Sequence, residues 1–107
     1  MKIKLEFQYF EGCPNHKKMG DNLKKAIKGL EDKIDLKEIL VEDEATAKQV
    51  GFRGSPTLLI NGIDVEDFAA PSNPSLACRF YPGGVPSAEL IRKKIIEKVN
   101  KEIQWRQ

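Results

Sequence analysis

The chain has 107 residues, 40% of them hydrophobic and 32% charged, a length that supports one compact domain and a composition that excludes a disordered, collagenous or membrane-embedded polypeptide. Eighteen basic residues against sixteen acidic ones leave a formal charge of +2, so net charge confers no general affinity for nucleic acid or for an anionic membrane. At this size folding should bury somewhat over ~60% of the surface of the unfolded chain, so the core needs no disulfide or metal staple and the two cysteines need not be structural.

The N-terminal segment MKIKLEFQYFEGC alternates charged and apolar residues and lacks the unbroken apolar run of a secretory signal. No stretch approaches the ~18 apolar residues needed to cross a bilayer, so the expected location is the cytoplasm, without a membrane partner. Thiols there stay mostly reduced, and Cys13 and Cys78 read as reactive, metal-binding or inert groups before they read as a permanent cross-link.

Ile3, Leu5, Phe7 and Tyr9 fall on one face of an extended segment and Lys4, Glu6 and Gln8 on the other, the period of a first strand. From Pro14 to about Leu30 the apolar set becomes Met19, Leu23, Ala26, Ile27 and Leu30, a helical stripe surrounded by five lysines. Pro14 suits the first helical position, where its missing N–H is not needed, and Gly29 lies near the expected stop. Residues Ile34 to Val41 read as a second strand. Asp43 then caps a short helix carrying Ala47 and Val50, which Gly51 ends.

Thr57 to Ile60 forms a third strand, and Asn61-Gly62 favours a type I′ turn that folds Ile63 to about Glu66 back antiparallel. Residues 67–85 hold three prolines and two glycines and lose periodicity, which predicts a long ordered loop with room for a short strand around Leu76 to Tyr81. Ser87 caps a last helix with the stripe Ala88, Ile91, Ile95, Ile96, Val99 and Ile103, and the tail from Gln104 to Gln107 is expected to fray. With no repeat or linker, residues 1–107 form a single α/β domain in the order βαβαββα, a mixed central sheet flanked by helices.

Cys13 stands where the first strand hands over to the first helix. Free N–H groups and the positive end of the helix dipole favour its thiolate there, which lowers the thiol pKa and raises nucleophilicity near neutral pH. Gly12 keeps the approach open. The competing reading is a small residue at an N-cap position.

Cys-Pro-Asn-His at the first strand–helix junction, Val50-Gly51-Phe52-Arg53-Gly54-Ser55-Pro56-Thr57 before the third strand, and the element order together resemble the thioredoxin superfamily over almost the whole chain. Within it, Gly-Cys-Pro-Asn with Gly-Ser-Pro-Thr and the later Ser-Leu-Ala-Cys-Arg resembles a group of small thioredoxin-like proteins, some of which carry selenocysteine at the position of Cys13. The resemblance implies that Cys13 is the attacking cysteine. It also implies that Pro56 follows a cis peptide bond and that the N–H and C=O of Ser55 face Cys13, where they can pair with an extended substrate. Gly12, Pro14, Ser55 and Pro56 are then the expected substrate-binding residues.

The sequence departs from the family pattern at His16, which stands where a second cysteine is usual, so the local disulfide cannot form. His16 either stabilises the Cys13 thiolate and shuttles its proton or is a solvent-facing first-turn residue. Cys13 and His16 supply only two ligands, too few to close a tetrahedral metal site, and neither a metal nor a cofactor is expected. Given an attacking Cys13, Cys78 is the expected resolving partner, with external thiols as the alternative. That pairing needs Cα atoms within ~7 Å and hence a loop folded over the end of the sheet. A regular outer strand at residues 76–81 would instead hold Cys78 too far away. Taken alone, Cys78 reads as a buried small hydrophobe, and Arg79 beside it either supports a thiolate or is a solvated charge. Lys17, Lys18, Lys24, Lys25 and Lys28 read as the wet face of the first helix, open to an acidic partner.

The resulting expectation is a thiol-dependent oxidoreductase acting in thiol–disulfide exchange or in reduction of an oxidised small molecule. Its partners would be a disulfide-containing or oxidised substrate and an external thiol reductant, with no nucleic acid. The alternative is a non-catalytic module that holds a peptide edge or a soft metal.

Overall fold

The computed structural model describes residues 2–105, with side chains through Lys101. The alternating N-terminal segment forms strand β1, Ile3–Tyr9, at the centre of the sheet. Strand β2, Ile34–Leu40, runs parallel to it with Ile3 opposite Ile34 and Tyr9 opposite Leu40. Strand β3, Thr57–Ile60, runs antiparallel on the other side, Leu5 opposite Ile60 and Gln8 opposite Thr57. The short strand β4, Ile63–Asp64, completes a mixed sheet of order β2-β1-β3-β4. Among the described residues three α-helices complete the α/β fold, α1 at Asn15–Ile27, α2 at Glu44–Val50 and α3 at Ala88–Trp105, with a 3-10 turn at Glu31–Lys33. No described helix is long and apolar enough to cross a membrane.

Period two sorts the sheet into two covered faces. One face presents Ile3, Leu5 and Phe7 of β1 with Leu58 and Ile60 of β3, packed against Met19, Leu23 and Ala26 of α1 and Ile91 and Ile95 of α3. The opposite face carries Ile39 and Val41 toward Ala47 of α2 and Phe52. Coverage on both sides explains why Gln8, which alternation places outward, is fully buried. Its amide nitrogen donates to the Val50 carbonyl at 3.2 Å and to Glu6, which offsets part of the cost of burying it.

Helix α1 stops at Ile27, short of Leu30. Lys28 turns extended and Gly29 takes φ +85°, a conformation that glycine adopts without strain. Arg92 on α3 donates to the freed carbonyls of Ala26 and Lys28 at 3.0 and 2.9 Å, which ties the two helices together. Asp43 accepts from the Thr46 N–H at 2.7 Å and Gly51 ends α2 at φ +64°. The Ser87 hydroxyl accepts from the Leu90 N–H at 3.1 Å at the start of α3.

The stripe of α3 is narrower than expected. Ile91 and Ile95 are buried, whereas Ile96 is 36% exposed, since it stands one residue off the line that meets the sheet. The side chain of Ile103 and residues 106 and 107 lie outside the described part, and α3 continues through Trp105 into the expected tail. At the hairpin both Asn61 and Gly62 have positive φ, as a type I′ turn requires. Strand pairing beyond it covers only two residues, and Val65 follows with a hydrogen bond to the Leu58 carbonyl at 2.9 Å. Residues 76–81 form no regular strand: a single parallel bridge joins Cys78 to Ser55.

Candidate functional site

The site is assembled where β1 ends, β3 begins and the 67–85 segment crosses over both. After Tyr9 the chain turns, with the Cys13 N–H donating to the Phe10 carbonyl at 3.2 Å and the His16 N–H to the Cys13 carbonyl at 3.4 Å. Pro14 sits just before the first residue of α1 with φ −66°, so its ring pre-sets the helical entry. Gly12 is exposed and accommodates a neighbour: a Cβ there would lie 2.7 Å from the Phe10 ring. The Ser55 hydroxyl accepts from the Phe10 N–H at 2.8 Å and donates to its carbonyl at 3.2 Å. The start of β3 is thereby locked to the cysteine-bearing turn.

The Ser55–Pro56 peptide bond is cis. The main-chain groups of Ser55 are taken by the chain itself: its N–H donates to the Ala77 carbonyl and its carbonyl accepts from the Arg79 N–H, both at 2.9 Å. Cys78, between those two residues, is joined to Cys13 by a disulfide, with Cα atoms 5.7 Å apart across 65 positions of sequence. The segment folds over the sheet end as a strap. The two cysteines differ sharply in access, for Cys13 is 1% exposed whereas Cys78 lies on the exposed surface.

An ion pair fixes the strap. Arg79 points inward and its guanidinium donates to both carboxylate oxygens of Asp64, at 2.6 and 2.8 Å. The two side chains are 2% and 0% exposed. The guanidinium also lies over the rings of Phe68 and Tyr81, 4.4 and 4.5 Å from their centroids. Asp64 accepts in addition from the N–H groups of Glu66 and Phe68. Burial pushes its carboxyl up, but Arg79 and these two donors outweigh burial and hold it below the usual carboxylate range. Burial works against the guanidinium charge too, and Asp64 more than restores it. Tyr81 donates its hydroxyl to the Pro56 carbonyl at 2.6 Å, and burial, the largest effect, keeps that phenol protonated to higher pH than usual.

These contacts correct two expectations. Arg79 is neither a thiolate partner nor a solvated charge. Cys78 is not a buried small hydrophobe. Asp64 and Tyr81 were missed by sequence reading, because their roles follow from the inward turn of Arg79 and the seating of the strap.

Gly54 completes the seat. It has φ +100°, and a Cβ there would lie 2.9 Å from Arg79 Cβ, closer than real side chains come, and 3.1 Å from Arg79 Cα. Glycine at this position lets the strap lie directly on the chain. His16 is half-buried beside Cys13. Its Nδ1 bonds to the Cys13 carbonyl at 2.6 Å, and its ring stacks on Tyr9 with centroids 5.2 Å apart. A carbonyl only accepts, so Nδ1 carries the proton. The lysines of α1 are exposed as read. Among the described residues no cluster of three or more His, Cys, Asp or Glu is placed to hold a metal ion, and the Cys13 sulfur is committed to the disulfide. A scan against known protein families returns no match, and neither does a comparison with curated proteins.

Proposed function

We propose that the chain is a thiol-dependent redox protein with a thioredoxin-like fold, in which Cys13 and Cys78 act as one dithiol/disulfide pair. The observation that carries this reading is the disulfide itself. It joins a buried cysteine at a strand–helix junction to a cysteine on an exposed strap, where an external thiol can approach. The element order, the cis bond before Pro56 and the placement of Cys13 before a 13-residue helix support the fold assignment. The helix N-terminus favours the Cys13 thiolate whenever the bond is open. His16 occupies the place of a local second cysteine, and the remote Cys78 takes that role.

In the reduced protein one thiolate attacks a substrate disulfide, forming a mixed disulfide and releasing one substrate thiolate. The second protein thiolate then displaces the other substrate thiol and closes the Cys13–Cys78 bond. Two external thiols reopen it and leave as their own disulfide, so two electrons pass per cycle. A reducing cytoplasm suits this cycle. A non-catalytic peptide or metal module draws no support here, because the Ser55 edge and the Cys13 sulfur are both occupied.

The test is reduction of insulin or of a small aliphatic disulfide with glutathione as donor, comparing the wild type with Cys13→Ser and Cys78→Ser. Turnover that requires both cysteines is expected. A disulfide that survives excess millimolar glutathione, with no turnover, would identify a structural cross-link and overturn the reading.

A further inference from the structure

We infer that Cys78, and not Cys13, is the exchange cysteine: it forms the mixed disulfide with the external partner, and Cys13 is the internal thiol that closes or opens the pair. This assignment rests on the redox reading above and deepens it. Attack on a disulfide runs along the S–S axis, so the incoming thiolate must reach the far side of the sulfur it bonds. Cys13 is 1% exposed, beneath the turn and the strap, while Cys78 stands on the exposed side of the strap. The next residues explain why. Arg79 is drawn inward by Asp64, and the residues on either side of it, Cys78 and Phe80, lie at the surface, Phe80 80% exposed.

Opening the bond does not undo this arrangement. Ser55 still holds Ala77 and Arg79 through two main-chain hydrogen bonds, Arg79 still holds Asp64 through two more, and Tyr81 still bonds the Pro56 carbonyl. None of these contacts passes through sulfur. The reduced strap therefore keeps Cys13 covered and Cys78 presented. Leaving-group chemistry points the same way, since the Cys13 thiolate leaves toward a helix N-terminus that stabilises it. A monothiolate RS⁻ attacks the Cys78 sulfur of the oxidised protein, the RS–S–Cys78 bond forms, the S–S bond to Cys13 breaks, and Cys13 departs as thiolate. In the reverse sense the Cys78 thiolate attacks an external disulfide RSSR, RS⁻ leaves, and Cys13 attacks the Cys78 sulfur to release the second RS⁻.

The experiment compares Cys13→Ser, which keeps Cys78, with Cys78→Ser, which keeps Cys13. Each reacts with glutathione disulfide near neutral pH, followed by intact mass, and far-UV circular dichroism and thermal melts establish that both are folded. The Cys13→Ser protein should acquire glutathione at least tenfold faster. As a control free of serine substitutions, reduced wild type given a limiting amount of iodoacetamide should be labelled first at Cys78. Faster adduct formation on Cys78→Ser, equal rates, or no adduct on either would each overturn the assignment. These rates do not depend on substrate turnover. An inactive wild type with a reactive Cys78 removes only the redox function, and an active wild type with a reactive Cys13 removes only the assignment.

Discussion

Removing the carboxylate of Asp64 should strongly destabilise the protein. In Asp64→Ala the Arg79 guanidinium loses two hydrogen bonds of 2.6 and 2.8 Å in a site where its side chain is 2% exposed. The N–H groups of Glu66 and Phe68 also lose their acceptor, but both residues are exposed and water can replace it. The stranded cation therefore dominates, and breaking a buried pair by deleting one partner costs about 3–5 kcal/mol. For a domain near this size each kcal/mol moves Tm by about 4–8 °C, so a fall of ~12 °C or more is expected. Urea unfolding of the reduced protein, with an unchanged m-value, gives the free energy directly. Replacing both partners by apolar residues of similar volume, Asp64→Leu with Arg79→Met, should recover most of the loss, because no charge is then left buried. A loss below ~1 kcal/mol in Asp64→Ala would match a solvent-exposed pair and refute the buried anchor on which the strap's placement depends.

Acid should weaken the same anchor. The Asp64 carboxyl is held below its ordinary range in the folded protein, so its contribution is fully present above the unfolded value of ~3.9 and is lost as pH falls through the lower folded value. Thermal melts from pH 6 downward should show a decline in wild type that is shallower in Asp64→Asn, and parallel declines would exclude the linkage. Gly54→Ala places a Cβ against the Arg79 backbone at φ +100°. It should lower stability by at least ~1–2 kcal/mol and shift the Cys13–Cys78 equilibrium toward the dithiol in glutathione buffers, whereas an unchanged equilibrium would mean that the strap does not rest on this residue. Closing a loop across 65 positions should stabilise the oxidised form over the reduced form by roughly 4 kcal/mol in the chain-entropy model. Denaturation of the two redox forms measures it, and equal stabilities would indicate a strained or structured reference state.

Sequence alone determined what depends on local chemistry. The alternation of Ile3, Leu5 and Phe7, the stripe Met19, Leu23 and Ala26, the caps at Asp43 and Ser87 and the positive-φ pair Asn61-Gly62 each act over a few residues, and each is realised in the structure. The position of Cys13 before a helix is of the same kind. Tertiary structure decided the rest, because burial depends on what covers a face. Gln8 is buried since α2 covers the second side of β1, and Asp64 turns inward because Arg79, 15 positions later, arrives there. The distance between Cys13 and Cys78 was open in the sequence, where residues 76–81 could form an outer strand or fold over the sheet. The choice falls to contacts between segments remote in sequence: the Ser55 main chain, a bare Gly54 and a buried carboxylate together seat the strap. Which cysteine reaches the surface follows from that seating, and no pattern of neighbouring residues encodes it.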